Sequence, residues 1–244
     1  GTFSNTQNVA TADAVSLAAA DVNGNGYLDI AVGNHANGNR ILTNNGSGVF
    51  TDSGQTLGAY STWGITFGDV NGDGHQDLLA ANISAANKIY INNGAGVFTD
   101  STQGLGASNS YSIALADVDG DGDSDLAVAN SGANKVYTND GSGNFIDSGQ
   151  SLGTSSSQSV YFADIDGDGD LDMAVANTSN QSNKIWVNNG SGTFTESGQV
   201  LGASASIDIA LGDIDADGDL DIVSANSNQA NKVWINDGVT LNSI

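Results

Sequence analysis

The sequence predicts an all-β fold, a five-bladed β-propeller built from four-stranded antiparallel blades. Three observations predict it. A nine-residue acidic pattern occurs five times in the 244 residues, its first residues 48, 48, 47 and 49 positions apart. An apolar segment of period two precedes each copy and reads as a strand. Two more short apolar segments follow, the second ending in an Asn-Asn-Gly or Asn-Asp-Gly turn, which is a strong hairpin signal. Four strands in a unit of about 40–50 residues is the pattern of a propeller blade.

The elements follow in order within each repeat. The first strand covers residues 15–20, 63–68, 111–116, 158–163 and 207–212, large side chains alternating with Ala, Gly or Ser. The acidic pattern comes next, then a second strand such as 126–130 or 173–177. A third strand opens on Arg40, Lys88, Lys135, Lys184 or Lys232, and a fourth carries Phe50, Phe98, Phe145 or Phe194. The last repeat stops after its third strand, whereas Gly1-Thr-Phe3-Ser aligns with Gly48-Val-Phe50-Thr. The N-terminal strand is therefore expected to complete the last blade, hide its edge and close one domain over residues 1–244. An open stack, or strand exchange between chains, fits the same pattern. Because the chain begins inside a repeat, it is expected to be a mature, excised or engineered piece.

The acidic pattern has the composition of a calcium loop. Calcium takes six to eight oxygen ligands, several of them carboxylates. Positions one, three, five and nine carry oxygen in every copy. They are Asp21, Asn23, Asn25 and Asp29; Asp69, Asn71, Asp73 and Asp77; Asp117, Asp119, Asp121 and Asp125; Asp164, Asp166, Asp168 and Asp172; and Asp213, Asp215, Asp217 and Asp221. Position seven varies among Tyr27, His75, Asp123, Asp170 and Asp219, so its backbone carbonyl is the expected ligand there. Glycine at position six permits a sharp turn. Position four is Gly in four copies and Ala216 in the last, which reads as a less demanding site. An EF-hand needs a chelating Glu at position twelve. Here that position is Val32, Ala80, Val128, Val175 or Ser224. Up to five calcium ions are expected, one per repeat, the weakest in the loop from Asp21 to Asp29 with its two carboxylates. The competing reading is a hydrated Asp/Asn/Gly turn.

Composition bounds the partners. Of 28 acids, 20 lie in the five patterns, so the net charge of −23 is chiefly site chemistry. Five Lys and Arg are too few for the phosphate contacts of nucleic acid, and an anionic membrane surface is disfavoured for the same reason. There is no cysteine, hence no disulfide framework and no thiol chemistry.

The loop, placed after a strand ending in Phe67-Gly68-Asp69, resembles the FG-GAP and VCBS repeats of integrin α-subunit propellers and of related fungal and bacterial lectins. Only Phe67-Gly68 matches the Phe-Gly element literally, and the Gly-Ala-Pro element is absent because the chain has no proline. That family is usually seven-bladed, so five units depart from it. The resemblance implies a calcium-binding, extracellular or cell-surface module for adhesion or carbohydrate recognition.

An enzyme is not expected. Outside the loops no acid–base pair emerges: His75 lies within a loop, and Glu196 repeats the position of Asp52, Asp100 and Asp147. The expected function is non-catalytic recognition by a monomer, with glycans or an extracellular protein as partner. Tyr60, Trp63, Tyr111 and Asp208, which break the repeat, are the candidate ligand residues. The alternative is a structural, adhesion or engineered scaffold in which calcium is purely structural.

Overall fold

The computed structural model describes residues 7–9 and 13–238. The chain forms two compact units, Gly1–Asn109 and Ser110–Ile244, each described below by itself. The described residues are all-β, and no helix among them is long and apolar enough to cross a membrane.

The first unit holds two antiparallel sheets. One runs β1 (Ala14–Ala20), β2 (Asp29–Asn34), β3 (Arg40–Asn44) and β4 (Phe50–Asp52). The other runs β5 (Ser61–Gly68), β6 (Asp77–Ile83), β7 (Asn87–Asn92) and β8 (Phe98–Leu105). The second unit holds three. Its first sheet is β9 (Ser110–Ala116), β10 (Asp125–Asn130), β11 (Lys135–Asn139) and β12 (Phe145–Asp147). Its second is β13 (Ser157–Ala163), β14 (Asp172–Asn177), β15 (Gln181–Asn188) and β16 (Phe194–Glu196), with β17 (Leu201–Ser204) also paired to β15. The last, β18 (Ser206–Gly212), β19 (Asp221–Asn226) and β20 (Lys232–Trp234), has three strands among the described residues. The strand read at residues 1–4, and its role in completing the last blade, lie outside the described residues.

Apart from β17, which returns to β15, each sheet is a meander in chain order, because its strands are joined by loops too short for a crossover. The second strand is covered on both faces, which is why it reads as a run such as Leu78-Leu-Ala-Ala and not as an alternation. Neighbouring sheets pack face to face. Val22, Ile65, Leu78 and Phe98 join the first two sheets. Val118, Val160, Trp186 and Phe194 join the third and fourth. Ile165, Leu201, Ile209 and Ile222 join the fourth and fifth. Glutamine carboxamides add a polar clasp. Gln55 accepts from the Phe98 amide at 2.9 Å and donates to the Gly96 carbonyl at 2.7 Å. Gln150 treats Phe194 and Gly192 likewise. In the first sheet that place is taken by Gln7, which accepts from the Phe50 amide at 2.8 Å.

A second device repeats where β2, β6, β10, β14 and β19 end. The buried Asn there donates to a carbonyl in the following loop, as Asn82 does to Ala86 at 2.9 Å. Its own Oδ1 accepts from a hydroxyl across the strand pair: Thr62 to Asn82, Ser110 to Asn130, Ser157 to Asn177 and Ser206 to Asn226, at 2.7–2.8 Å. The first sheet has Ala14 opposite Asn34, and Asn34 Oδ1 is buried without a partner. An unmade buried hydrogen bond costs about 1–3 kcal/mol. Ala14→Ser is therefore expected to raise stability by about 1 kcal/mol, read as a higher denaturation midpoint at unchanged m-value.

Candidate metal centres

Each acidic pattern becomes the loop between the first and second strands of a sheet. Its geometry is set by backbone donors to its own side chains. The carboxylate at position one accepts from the amides at positions four and six in the later copies: Asp117 from Gly120 and Gly122 at 2.8 and 3.0 Å, Asp164 from Gly167 and Gly169 at 2.8 and 3.1 Å. Asp21, Asp69 and Asp213 accept within their loops in the same way. Position three accepts from the amide of position five, and position five from that of position seven, as in Asn71 to Asp73 and Asp73 to His75. These linked Asx-turns tie the side chains of positions one, three and five to the loop's own backbone; the carboxylates gathered together are those of positions one, three and nine, without position five.

Position nine ties the loop to the rest of its sheet. Asp29, Asp77, Asp125, Asp172 and Asp221 are fully buried. One oxygen of each accepts from the amide at position two, as Asp125 does from Val118 at 3.0 Å. The other accepts from the amide of the Asn at or just past the end of the third strand, as Asp125 does from Asn139 and Asp172 from Asn188, at 2.8 and 2.9 Å. That Asn is Asn44, Asn92, Asn139, Asn188 or Asn236, and sequence reasoning treated it only as part of a turn. Its recurrence before every Asn-Gly or Asp-Gly was the available signal. Links to a neighbouring sheet include Asn92 donating to the Val22 carbonyl, Asn188 to Val118 and Asn236 to Ile165, at 2.8, 2.7 and 3.0 Å.

Three loops gather carboxylates that could hold a metal ion: Asp117, Asp119 and Asp125; Asp164, Asp166 and Asp172; Asp213, Asp215 and Asp221. In each triad, one ligand oxygen per residue lies within 4.8 Å of the others. Oxygens on opposite sides of an ion bound at about 2.3–2.6 Å are about 4.6–5.2 Å apart, so the donor set fits. All three triads fall in the second unit. In the first loop Asn23 Nδ2 donates to Asp29 Oδ2 at 2.9 Å, so an amide closes that loop where later copies set two like charges. In the second, Asn71 Nδ2 donates to Asp73 at 3.1 Å.

Position seven faces away from the triad. A Cβ built on the hairpin glycine Gly94 would meet the His75 ring at 2.5 Å, and one on Gly141 would meet the Asp123 carboxylate at 2.5 Å. Tyr27, Asp170 and Asp219 lie against Gly46, Gly190 and Gly238 in the same manner. These glycines have positive φ as well, so the turn needs glycine twice over. Position four corrects the sequence reading. Ala216 sits at φ 66°, close to Gly24, Gly72, Gly120 and Gly167 at 71–79°, so it is as demanding in backbone conformation as the others and Ala216 is strained.

Except at Asp221, burial is the main influence on the shifted carboxyls of these loops. Burial pushes the Asp172 carboxyl up to about 6, against the amides of Asn188 and Ile165. Burial also raises Asp77, opposed by the amides of Asn92 and Val70, and Asp125, opposed by those of Asn139 and Val118. Asp119 and Asp166 are raised by burial and then by Asp121 and Asp168 beside them. Asp221 is lowered, because the amides of Ile214 and Asn236 outweigh burial in the last sheet. A carboxyl raised in the fold contributes stability that is present below its unfolded value near 4 and is lost as pH rises through its folded value. With excess chelator the protein is expected to melt higher at pH 5 than at pH 7.5. With saturating metal, which needs the deprotonated ligands, the order is expected to reverse. Melting curves at the two pH values, with and without chelator, check both signs.

Of the candidate ligand residues, Tyr60 and Trp63 fall in the first unit and Tyr111 and Asp208 in the second. The first strand of every sheet has a β-bulge at one register position, occupied by Val15, Trp63, Tyr111, Gln158 and Ile207. Trp63 and Tyr111 thus sit on bulges, and Trp63 meets His35 edge-on at 5.7 Å. Tyr60 lies elsewhere in the first unit, its ring against Gly58 and 5.9 Å from the Lys88 ammonium. Asp208 follows the last bulge and accepts from the Ser159 hydroxyl at 2.8 Å.

The FG-GAP-like repeat matches residues 21–80, 69–128, 117–175 and 164–224. The chain belongs to the FG-GAP-like repeat family. Each match begins at the first Asp of one loop and runs through the next, so successive FG-GAP-like matches share a loop. A search of curated proteins found no match. Among solved structures the chain is similar to BBS1N in complex with ARL6DN. Against the mercury-soaked crystal the TM-score is 0.60 at 12% identity, covering 94% of this chain and 68% of BBS1N. Against the lead-soaked crystal it is 0.57 at 10% identity, covering 91% and 68%. At these identities the likeness is one of fold, and it sets the FG-GAP-like repeats beside that domain.

Proposed function

We propose that this chain is a calcium-stapled, non-catalytic recognition module that binds carbohydrate outside the cell. The observation that carries the reading is the separation within each first strand. The acidic loop follows one end, and the bulge that varies from Val15 to Trp63, Tyr111, Gln158 and Ile207 lies at the other. A bulge re-aims a side chain, and bulges recur beside binding sites. The loops are then staples, and recognition belongs to the opposite end. Calcium is the cation because the donors are all oxygen and mostly carboxylate, and millimolar extracellular calcium would fill such loops. The tyrosine, tryptophan and hydroxyl side chains around the bulges suit sugars, which offer C–H faces and hydroxyl edges. A glycan array in calcium buffer, repeated in chelator, tests this. Binding in calcium that is lost in chelator is expected, and no binding in any condition would overturn the carbohydrate reading. BBS1N is in complex with ARL6DN, which favours a protein ligand as the second reading.

The same proposal includes a closed five-bladed propeller, completed by the N-terminal strand, in a monomer. Two observations support it. Gln7 clasps the first sheet as Gln55 and Gln150 clasp theirs, although no described sheet precedes it. The last junction has a cavity of about 220 Å³ lined by Ile165, Leu201, Ile222 and Trp234, the counterparts of the residues that enclose Phe194 one repeat earlier. Phe3 is the residue proposed to fill it. Phe3→Ala is expected to destabilise by about 3–5 kcal/mol. An unchanged denaturation midpoint would rule this closure out.

A further inference from the structure

The chain has seven Asn-Gly pairs. In such a pair the glycine's backbone nitrogen can attack the asparagine side-chain carbonyl, because no Cβ stands in the way. The hydrogen bonding and exposure of the glycine amide decide where this is open. Four of the glycines donate: Gly26 to Asp21 at 2.7 Å, Gly72 to Asp69 at 2.9 Å, Gly46 to Asn44 at 3.0 Å and Gly94 to Asn92 at 3.2 Å. Gly38 is buried. Gly24 and Gly190 are left, and neither amide donates to a described residue. Asn189-Gly190 is a hairpin turn whose first place is Asp140 or Asp237 in sister repeats, so an aspartate there adds no ligand.

Asn23-Gly24 lies at positions three and four of the first acidic loop. In the other loops the residue at position four, Gly72, Gly120, Gly167 or Ala216, donates to the carboxylate at position one. Gly24 does not, and it is exposed, so base and water reach its nitrogen. The Asn25 amide donates to Asn23 Oδ1 at 3.1 Å. A donor thus already stands where negative charge develops when the carbonyl is attacked. Asn23 Nδ2, the group that would leave, donates to Asp29 Oδ2 at 2.9 Å. The surroundings also suit an aspartate. A Cβ built on Gly96 would lie 3.4 Å from Asn23 Cβ, and one built on Gly192 would lie 3.4 Å from Asp119 Cβ. The third loop therefore carries an aspartate in the packing that Asn23 has in the first.

We propose that Asn23-Gly24 is a site of spontaneous deamidation that turns the weakest acidic loop into a three-carboxylate calcium site, an inference that rests on the calcium reading above. The Gly24 nitrogen, its proton taken by base, bonds to Asn23 Cγ. The Cγ–Nδ2 bond breaks, and Nδ2 leaves as ammonia with that proton returned to it. Water opens the resulting succinimide at Cγ, which restores the backbone and leaves an aspartate at position 23. Water is the one co-reactant, and nothing is oxidised or reduced. Asp21, the new carboxylate and Asp29 then correspond to Asp117, Asp119 and Asp125, whose ligand oxygens lie within 4.8 Å of one another. The amide that bridges Asn23 to Asp29 is lost in the same step. The loop thus gains an anionic ligand and gives up its internal closure, and calcium affinity rises with ligand charge.

The test ages chelator-stripped protein at mildly alkaline pH and assigns each deamidation by peptide mass spectrometry. An aspartate-specific endoproteinase separates aspartate from isoaspartate, the product of opening the ring on its other side. Asn23 is expected to convert at least tenfold faster than Asn71, whose glycine amide is held by Asp69. Calorimetric titration with calcium is expected to show one site at least tenfold tighter after ageing. Asn23→Asp is expected to show that site without ageing. Asn23→Gln, whose longer side chain would have to close a six-membered imide, is expected to show no gain on ageing. Conversion of Asn23 no faster than that of Asn71, isoaspartate as the main product, or a calcium affinity unchanged in Asn23→Asp would each overturn the proposal. If the parent's later loops bind calcium while Asn23→Asp adds nothing, this site alone falls. If no loop binds calcium, the calcium reading falls with it.

Discussion

Excess EDTA is expected to lower the thermal midpoint by tens of degrees, and to do so unequally along the chain. A site whose dissociation constant lies 100-fold below ambient calcium stabilises the fold by about 2.7 kcal/mol. Three filled triads would then contribute about 8 kcal/mol, comparable with a whole domain's usual 5–15 kcal/mol. At about 2–4 °C per kcal/mol for a chain of this size, the midpoint falls by about 15–30 °C. All three triads lie in Ser110–Ile244, whereas the loops of Gly1–Asn109 replace the carboxylate at position three with Asn23 and Asn71. Asn23 already satisfies Asp29 directly. Hydrogen exchange in EDTA is therefore expected to rise first in the strands that follow residue 110. Equal loss of protection in both units would contradict the assignment of strong sites to the later loops.

The second large effect separates the two roles of the buried Asp at position nine. Asp125→Ala leaves the amides of Val118 and Asn139 without acceptors. At about 1–3 kcal/mol for each buried donor, the loss in chelator is about 2–6 kcal/mol, and in calcium it is larger because a ligand of the ion goes as well. Asp125→Asn keeps one acceptor but sets its Nδ2 against the second amide, while it removes the charge that burial disfavours. In chelator it is expected to lose less than Asp125→Ala, and in calcium to lose more than it does in chelator. Four melting curves, two proteins in two buffers, give the coupling between charge and metal. If both variants lose the same amount in both buffers, position nine holds backbone alone.

Much of this architecture is local and was legible in the sequence. Strand alternation, the Asn-Gly turns and the five acidic loops each lie within one repeat, and the structure forms antiparallel sheets around them. Contacts between sheets were not legible, because they join residues 40–70 positions apart that share no local pattern. The Asn92, Asn188 and Asn236 links and the glutamine clasps are of this kind. The bulges were hidden for another reason: one extra residue shifts the period, so Trp63 and Tyr111 read as ordinary first residues of strands. Tyr60 breaks the repeat in the sequence, and its packing against Gly58 near Lys88 is likewise a contact that no local pattern shows. Ala216 was read as tolerance at position four, whereas its φ of 66° shows that the loop imposes the glycine conformation regardless.

The most direct measurement is a calorimetric titration of chelator-stripped protein with calcium, with the melting temperature followed in parallel. The account predicts at least three ions bound per chain and a midpoint that climbs as they bind. Failure to bind calcium, together with a midpoint that EDTA leaves unmoved, would contradict it.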